Sequence, residues 1–264
     1  MAKFENIGDY IVFSEEEILD PESLIRALEN SPYCSDLGRG RVKFFSHHGF
    51  DLVVRQYVHG GILRGITGER YISGKRAIRE FLLLSNLKKR GFPCPEPYCV
   101  VIRRGVLFKK LYIITKEIKN CKPLAITLRQ KDGLNRTRYI YGLAKLLIKL
   151  FSYNVFHPDF HLLNVIGRSP KELFLCDFDR AKIKKAIAEK DLLKMILRLY
   201  RHGRALKKKG EIKLEKNEEL FFLRVCCHLL GRDIISVVMG KIRKTEFFQN
   251  IGWFLESKLY GRKK

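Results

Sequence analysis

The chain has 264 residues, 46% of them hydrophobic, so it can bury a sizeable core as one large domain or as two lobes. No stretch approaches the ~20 apolar residues of a membrane-crossing helix, and no basic-then-apolar leader follows Met1, so neither a span nor a secretory leader is expected. Lys and Arg outnumber Asp and Glu by 52 to 28, a formal charge of +24, and such a surface selects anionic partners: nucleic acid, an anionic membrane face or phosphorylated substrates.

Residues 1–35 are comparatively acidic. Ser14 and Glu17 have capping-box spacing, and Ile18, Leu19, Leu24, Ile25 and Leu28 supply an apolar side that Pro21 interrupts, which predicts two short helical pieces. Residues 37–45 place Gly38 and Gly40, with Arg39 and Arg41, in a turn within strand-like sequence. Glycines there suit either a close backbone approach to a phosphate or a plain hairpin. Residues 50–58 read as a strand carrying Arg55. Residues 73–90 read as a helix with an apolar face of Ala77, Ile78, Phe81, Leu82, Leu84 and Leu87, stopped by Gly91. Glu80 lies in this helix, where it either pairs with Arg55 or stands on a solvated face. A Pro-rich connection over 92–97 leads to two strands, 98–103 and 107–118, joined by Gly105. Residues 117–123 have the character of an interlobe hinge. Helical sequence resumes after Asn135, with Ile140, Leu143, Leu147, Leu150 and Phe151 as a core stripe. After Arg180 the pattern predicts a Lys-rich helix over 182–200, a basic cluster of Arg201, Arg204, Lys207, Lys208 and Lys209, and a mostly helical tail over 216–260.

Seven cysteines, an odd number with several in apolar runs, fit buried thiols in a reducing compartment better than a disulfide frame. Cys94 and Cys99 lack a second Cys/His pair, so no zinc site is expected.

The most informative segments are His157-Pro158-Asp159-Phe160-His161-Leu162-Leu163-Asn164 and Leu175-Cys176-Asp177-Phe178-Asp179-Arg180. Asn164 follows Asp159 by five residues, and Asp177 follows Asn164 by thirteen. That is the protein-kinase spacing, in which a catalytic-loop Asp takes the acceptor's hydroxyl proton while an Asn and a second Asp hold Mg²⁺. Asp and Asn oxygens are what a hard cation requires. Pro158, His161 and Asp179 stand where protein kinases commonly carry Arg, Lys and Gly. Asp179 is a third metal-site carboxylate or a turn cap, and the supporting role, shared with His157 and Arg180, is favoured. The Ala-Pro-Glu anchor of a peptide-binding segment is absent, so a small-molecule or lipid-sugar acceptor fits better than a peptide.

Together with Val54-Arg55-Gln56-Tyr57, His59-Gly60-Gly61, Arg76-Ala77-x-Arg79-Glu80-Phe81 and Gly91-Phe92-Pro93-x-Pro95, these residues resemble the lipopolysaccharide kinase family, most closely its 3-deoxy-D-manno-octulosonic acid (Kdo) kinases. The resemblance runs from about residue 38 to 183. It implies an α+β, protein-kinase-like two-lobed fold: a small, mostly antiparallel β N-lobe (1–118) that binds nucleotide phosphates, and a mainly helical C-lobe (119–264) with the catalytic loop, metal site and acceptor. It implies ATP as co-substrate, Mg²⁺ as cofactor, and transfer to the 4-hydroxyl of the Kdo attached to lipid A. Asp159 is then the base, and Asn164 and Asp177 the metal ligands. Arg55 takes the place of the usual phosphate-pairing Lys and pairs with Glu80. Gly38, Arg39, Gly40 and Arg41 cover phosphates, and the backbone at Glu117 meets the base. The basic surface is expected to meet an anionic lipid-linked sugar and the cytoplasmic face of the bacterial inner membrane, with His59, Arg64 and Arg70 as candidates for acceptor anions. A heptose kinase, another small-molecule kinase and a pseudokinase are the rival readings. Nucleic acid is not the expected partner, since no reading motif accompanies the charge. Oligomeric state is left open.

Overall fold

The computed structural model describes residues 3–34, 41–58 and 70–243. The chain divides into two compact units, Met1–Cys121 with Phe174–Lys182, and Lys122–Leu173 with Ile183–Lys264. It is an α+β protein with its antiparallel sheet in the N-terminal part and most of its helices later.

The first unit contains β1 (Lys3–Ile7), β2 (Tyr10–Ser14), α1 (Pro21–Asn30), β3 (Arg41–His47), β4 (Phe50–Gln56), α2 (Lys75–Lys89), β5 (Pro97–Arg103) and β6 (Lys110–Lys116). The six strands form one sheet in the order β1-β2-β5-β6-β4-β3, and every pairing is antiparallel. Side chains alternate between faces along a strand. Val12, Leu52, Val54, Cys99, Val101, Tyr112 and Ile114 pack in one cluster with Leu24, Ile25 and Leu28 of α1. Residues one step out of that phase face the other way: the Phe13 ring meets Phe81 of α2 edge-on at 5.3 Å. Arg55 is in the same phase, so the pleat of β4 turns it toward the α2 side of the sheet.

The N-terminal segment departs from expectation. Residues 10–14 alternate with period two and form a strand, so Ser14 ends β2 instead of capping a helix, and its hydroxyl donates to the Glu16 carbonyl at 2.6 Å. Pro21 starts a single helix, since proline at the first helical position has no N–H to lose. Asp20 caps it, accepting from Ser23 N at 3.0 Å.

The second unit contains β7 (Lys122–Pro123), α3 (Leu124–Gln130), α4 (Gly133–Ser152), β8 (Val155–Phe156), a 3-10 turn (Leu162–Asn164) and β9 (Val165–Ser169). Then β10 (Glu172–Leu175) and β11 (Lys182–Ile183) lead out of and back into this unit, and α5 (Glu189–Lys208) and α6 (Lys216–Leu230) follow. Helical backbone resumes over 235–243. Two expectations shift here. Residues 124–130, read as following a hinge, form a helix of their own, and the helix expected from 182 starts at Glu189. That start is set by Asp191, which accepts from Ala188 N at 3.2 Å and from Lys184 Nζ at 2.7 Å.

Helices α4 and α6 pack together around a buried ion pair, Arg136 Nε to Glu218 Oε1 at 2.6 Å. The same Glu218 carboxylate accepts from Glu215 N at 2.8 Å and so closes the first turn of α6. Removing one partner strands a buried charge, which costs roughly 3–5 kcal/mol. Arg136→Ala is expected to lower the stability to chemical denaturation by about that amount. The double change Arg136→Met with Glu218→Leu should recover most of it, because a matched apolar pair leaves no charge behind.

Candidate active site

In the first unit, three segments meet at Glu80, which is 3% exposed. Arg55 on β4 donates through Nη2 to Glu80 Oε1 at 2.6 Å and Oε2 at 2.5 Å. The Tyr57 hydroxyl also donates to Glu80 Oε2. The backbone N–H of Phe178 donates to Glu80 Oε1 at 3.0 Å. All of these partners are donors, the arrangement that favours a carboxylate. Burial pushes the Glu80 carboxyl up, and the Arg55 guanidinium pulls against it. For Arg55 burial pulls downward, but the charges of Glu80 and Asp177 outweigh it and hold the guanidinium well above its ordinary range.

Arg55 also reaches Asp177, Nη1 to Oδ1 at 3.0 Å. A guanidinium can engage two carboxylates at once through its fork, which a single ammonium does less well. Asp177 sits in the left-handed region at φ 61°, with its carboxylate 41% exposed. Next to it Phe178 is fully buried, its ring edge-on to Phe92 at 6.2 Å. Both carboxylate oxygens of Asp179 accept from Arg76, one from Nε and one from Nη2. The hydrogen bonds to Asp179 raise the Arg76 pKa, and its guanidinium lies 5.5 Å from the Tyr57 and Tyr71 rings. Asp179 therefore anchors its segment to α2, while Arg180 is exposed.

In the second unit, residues 157–164 form a tight loop. Phe160 N donates to His157 O at 3.2 Å, and Asn164 N to His161 O at 3.0 Å. Phe160 and Leu162 are buried, as is His157 at 1% exposed, and the His157 backbone N–H donates to Met195 Sδ of α5 at 3.4 Å. Asn164 Nδ2 donates to the Asp159 carbonyl at 3.0 Å, which ties the amide back to the start of the loop. The Asp159 carboxylate is 30% exposed and lies 3.3 Å from Arg198 Nη2 of α5. The His161 ring stacks on His202 of α5 at 4.3 Å and 11°. Burial, followed by the neighbouring His161 and Arg198, lowers the His202 pKa to about 4.

The expected residues are thus divided: Arg55, Glu80, Glu117, Asp177, Asp179 and Arg180 belong to the first unit, and His157, Asp159 and Asn164 to the second. Glu117 N donates to Asp51 O at 2.8 Å, so of its two backbone groups only the carbonyl is left for a base. Arg41 opens β3 opposite Gln56. Gly38, Arg39, Gly40, His59, Gly60, Gly61 and Arg64 lie outside the described residues. The guanidinium of Arg70, a candidate for acceptor anions, lies 5.7 Å from the Phe108 ring.

Sequence reasoning gave no role to Tyr57, Arg76, Arg198 or His202. Tyr57 lies two residues beyond Arg55, hence on its face of the strand, and Arg76 lies four before Glu80, hence on its face of α2. Those spacings were a usable signal. Arg198 and His202 are about forty residues from the groups they touch and carried none.

The two residues expected to hold a metal both offer oxygen donors, Asp177 in the first unit and Asn164 in the second. Among the described residues no three His, Cys, Asp or Glu side chains converge as a metal cage. One or two oxygen ligands suit Mg²⁺, which keeps much of its water, and do not suit zinc.

A model of the lipopolysaccharide kinase (Kdo/WaaP) family matches residues 25–221. A 3-deoxy-D-manno-octulosonic acid kinase of Vibrio vulnificus (strain YJ016) is 25% identical over 177 residues, 66% of this chain and 73% of the relative. The kinase of the same name from Xylella fastidiosa (strain M12) is 25% identical over 161 residues, 59% of this chain and 63% of the relative. That from Xanthomonas oryzae pv. oryzae (strain PXO99A) is 27% identical over 151 residues, 56% and 59% of the two chains.

The stacked histidines give a pH prediction. A histidine whose folded pKa lies below its unfolded value near 6.5 binds more protons when unfolded, so its contribution to stability falls as pH drops from about 6.5 to about 4. His202→Phe preserves a ring against His161 and removes the proton site. The gap in melting temperature between wild type and His202→Phe is expected to be flat above pH 7. Below pH 6.5 it should move in favour of the variant.

Proposed function

The chain belongs to the lipopolysaccharide kinase (Kdo/WaaP) family, and we propose that it transfers the γ-phosphoryl group of ATP to the 4-hydroxyl of the Kdo sugar of Kdo-lipid A. It is a phosphotransferase with ATP as co-substrate. The observation that carries the residue assignment is the junction at Glu80. A buried carboxylate holds Arg55 by two short contacts while the same guanidinium reaches Asp177.

In this reading Arg55 presents fixed positive charge to the nucleotide phosphates, and Glu80 keeps it from collapsing onto Asp177 alone. Residues 38–41 cover the phosphates, and the Glu117 carbonyl accepts from the base. Asp177 and Asn164 would hold Mg²⁺, which supplies neutralising charge on the phosphate oxygens. Asp159, steadied by Arg198, accepts the proton of the acceptor hydroxyl. As that oxygen bonds to the γ-phosphorus, the bond to the β-phosphate oxygen breaks and ADP leaves. The acceptor identity is supported by the name shared by the relatives and by a surface suited to anions, since Kdo carries a carboxylate.

We place the enzyme on the cytoplasmic face of the inner membrane as a peripheral protein. Among the described residues no helix is long and apolar enough to cross a bilayer. The exposed end of α5, with Arg201, Lys207, Lys208 and Lys209, offers cations worth about 1 kcal/mol each beside an anionic leaflet.

Two variants and an acceptor panel test the reading. Asp159→Ala is expected to lower turnover roughly 10²–10⁴-fold while ATP affinity changes little, since a base is not needed to hold nucleotide. Asp177→Ala should instead weaken Mg²⁺-dependent ATP binding in a titration. Wild-type enzyme should consume ATP with Kdo-lipid A and not with a generic peptide. Preference for a heptosylated core over Kdo-lipid A would reassign the acceptor within the family.

A further inference from the structure

The turn between β5 and β6 is built as an apolar tip in a cationic collar. Val106 is fully exposed, at 102% of its reference area, Leu107 is 78% exposed and Phe108 41%. Ile72, 83% exposed, joins them. Tyr71 and Lys109 form an antiparallel bridge with N–H···O distances of 2.9 and 2.7 Å, and one residue along from it on the two strands stand Ile72 and Phe108. Single exposed apolar residues are ordinary, but three in succession at a hairpin end beside a fourth are not.

The tip has a defined shape. A Cβ at Gly105 would stand 2.6 Å from the Phe108 carbonyl oxygen, so the turn closes only because residue 105 is glycine. At its base Arg104 N donates to Asp9 O at 2.7 Å, and the Arg104 guanidinium bonds Asn6. The run from 103 to 110 reads Arg-Arg-Gly-Val-Leu-Phe-Lys-Lys, four cations and no acid. Arg70 adds a fifth cation, stacked 5.7 Å from the Phe108 ring.

We propose that this tip is a membrane anchor: Ile72, Val106, Leu107 and Phe108 enter the acyl boundary of an anionic phospholipid leaflet, and Arg103, Arg104, Lys109 and Lys110 bind its headgroups. The apolar area is four side chains, far short of the 20–30 residues a side of a stable protein interface. A few apolar side chains ringed by cations match the interfacial zone of an anionic bilayer, where the two terms add. The choice of a bilayer rests on the acceptor reading above, in which the sugar is lipid-anchored. The exposed end of α5 is a separate and purely electrostatic surface.

The test uses the full chain and vesicles of phosphatidylethanolamine with phosphatidylglycerol. Val106→Asp with Leu107→Asp is expected to weaken binding at least about tenfold, and the loss should persist at high salt, which screens the lysines of α5 but not apolar insertion. Val106→Ser with Leu107→Ser, which adds no charge, should weaken binding in the same direction. The chain has a single tryptophan, Trp253. In a Trp253→Phe background, Leu107→Trp should shift its emission to the blue on these vesicles. Wild-type vesicle binding in both double variants, or unchanged emission in Leu107→Trp, overturns the proposal. So does loss of self-association in sedimentation with vesicle binding intact, which would make the tip a contact between copies. Turnover of the double variants on a soluble, deacylated Kdo acceptor should match wild type. Vesicle binding that depends on the tip in an enzyme with no turnover on any Kdo acceptor would support the anchor and overturn the acceptor reading.

Discussion

The first unit depends on one buried carboxylate. Glu80 of α2 receives a guanidinium from β4, a phenol from the residue after β4, and a backbone N–H from the segment that returns at 174–182. The contacts come from two other stretches of chain, β4 with the residue after it and the returning segment, so helix, sheet and returning segment share one electrostatic junction. Such a junction tolerates little: a buried ion pair that loses one partner is destabilised by roughly 3–5 kcal/mol. The same junction leaves Arg55 able to contact Asp177, a partly exposed carboxylate. Structure and proposed chemistry therefore draw on the same side chains.

The second unit solves a different problem, how to hold a short polar loop still. Phe160 and Leu162 point into the core, two backbone hydrogen bonds tighten 157–164, and the Asn164 amide ties back to Asp159. Helix α5 does the rest. It supplies Met195 under His157, Arg198 beside Asp159 and His202 against His161. His161 stands where protein kinases commonly carry a lysine, and in this chain the cation beside Asp159 comes instead from Arg198. A loop of this kind orients the Asp159 carboxylate without burying it, since the side chain stays 30% exposed.

Much of this was legible in the sequence where periodicity is strict. The alternation of residues 50–58 puts Arg55 and Tyr57 on one face, and the helical spacing of 73–90 puts Arg76 and Glu80 on another, so their pairing needs only sheet and helix to pack. The spacing of Asp159, Asn164 and Asp177 carried the kinase resemblance for the same reason. What failed depended on context. Pro21 was read as an interruption because a proline inside an apolar pattern and one at a helix start look alike until the preceding strand is known. The late start of α5 depends on Asp191 finding Lys184 and the Ala188 N–H, a local capping choice that propensity does not distinguish. Gly105 was seen as a strand connector, but the exposure of Val106 and Leu107 follows from the register of β5 on β6, which periodicity does not specify.

In the proposed mechanism Arg55 acts on the nucleotide only as positioned by Glu80. The direct measurement is a double-mutant cycle on kcat/KM for ATP, with Arg55→Met, Glu80→Gln and the two together. If the pair acts as one unit, either single change removes most of the activity, the double is no worse than the more damaging single, and the coupling exceeds about 1.5 kcal/mol. Losses that add to within about 0.5 kcal/mol would mean that the two residues act independently, and would contradict the account.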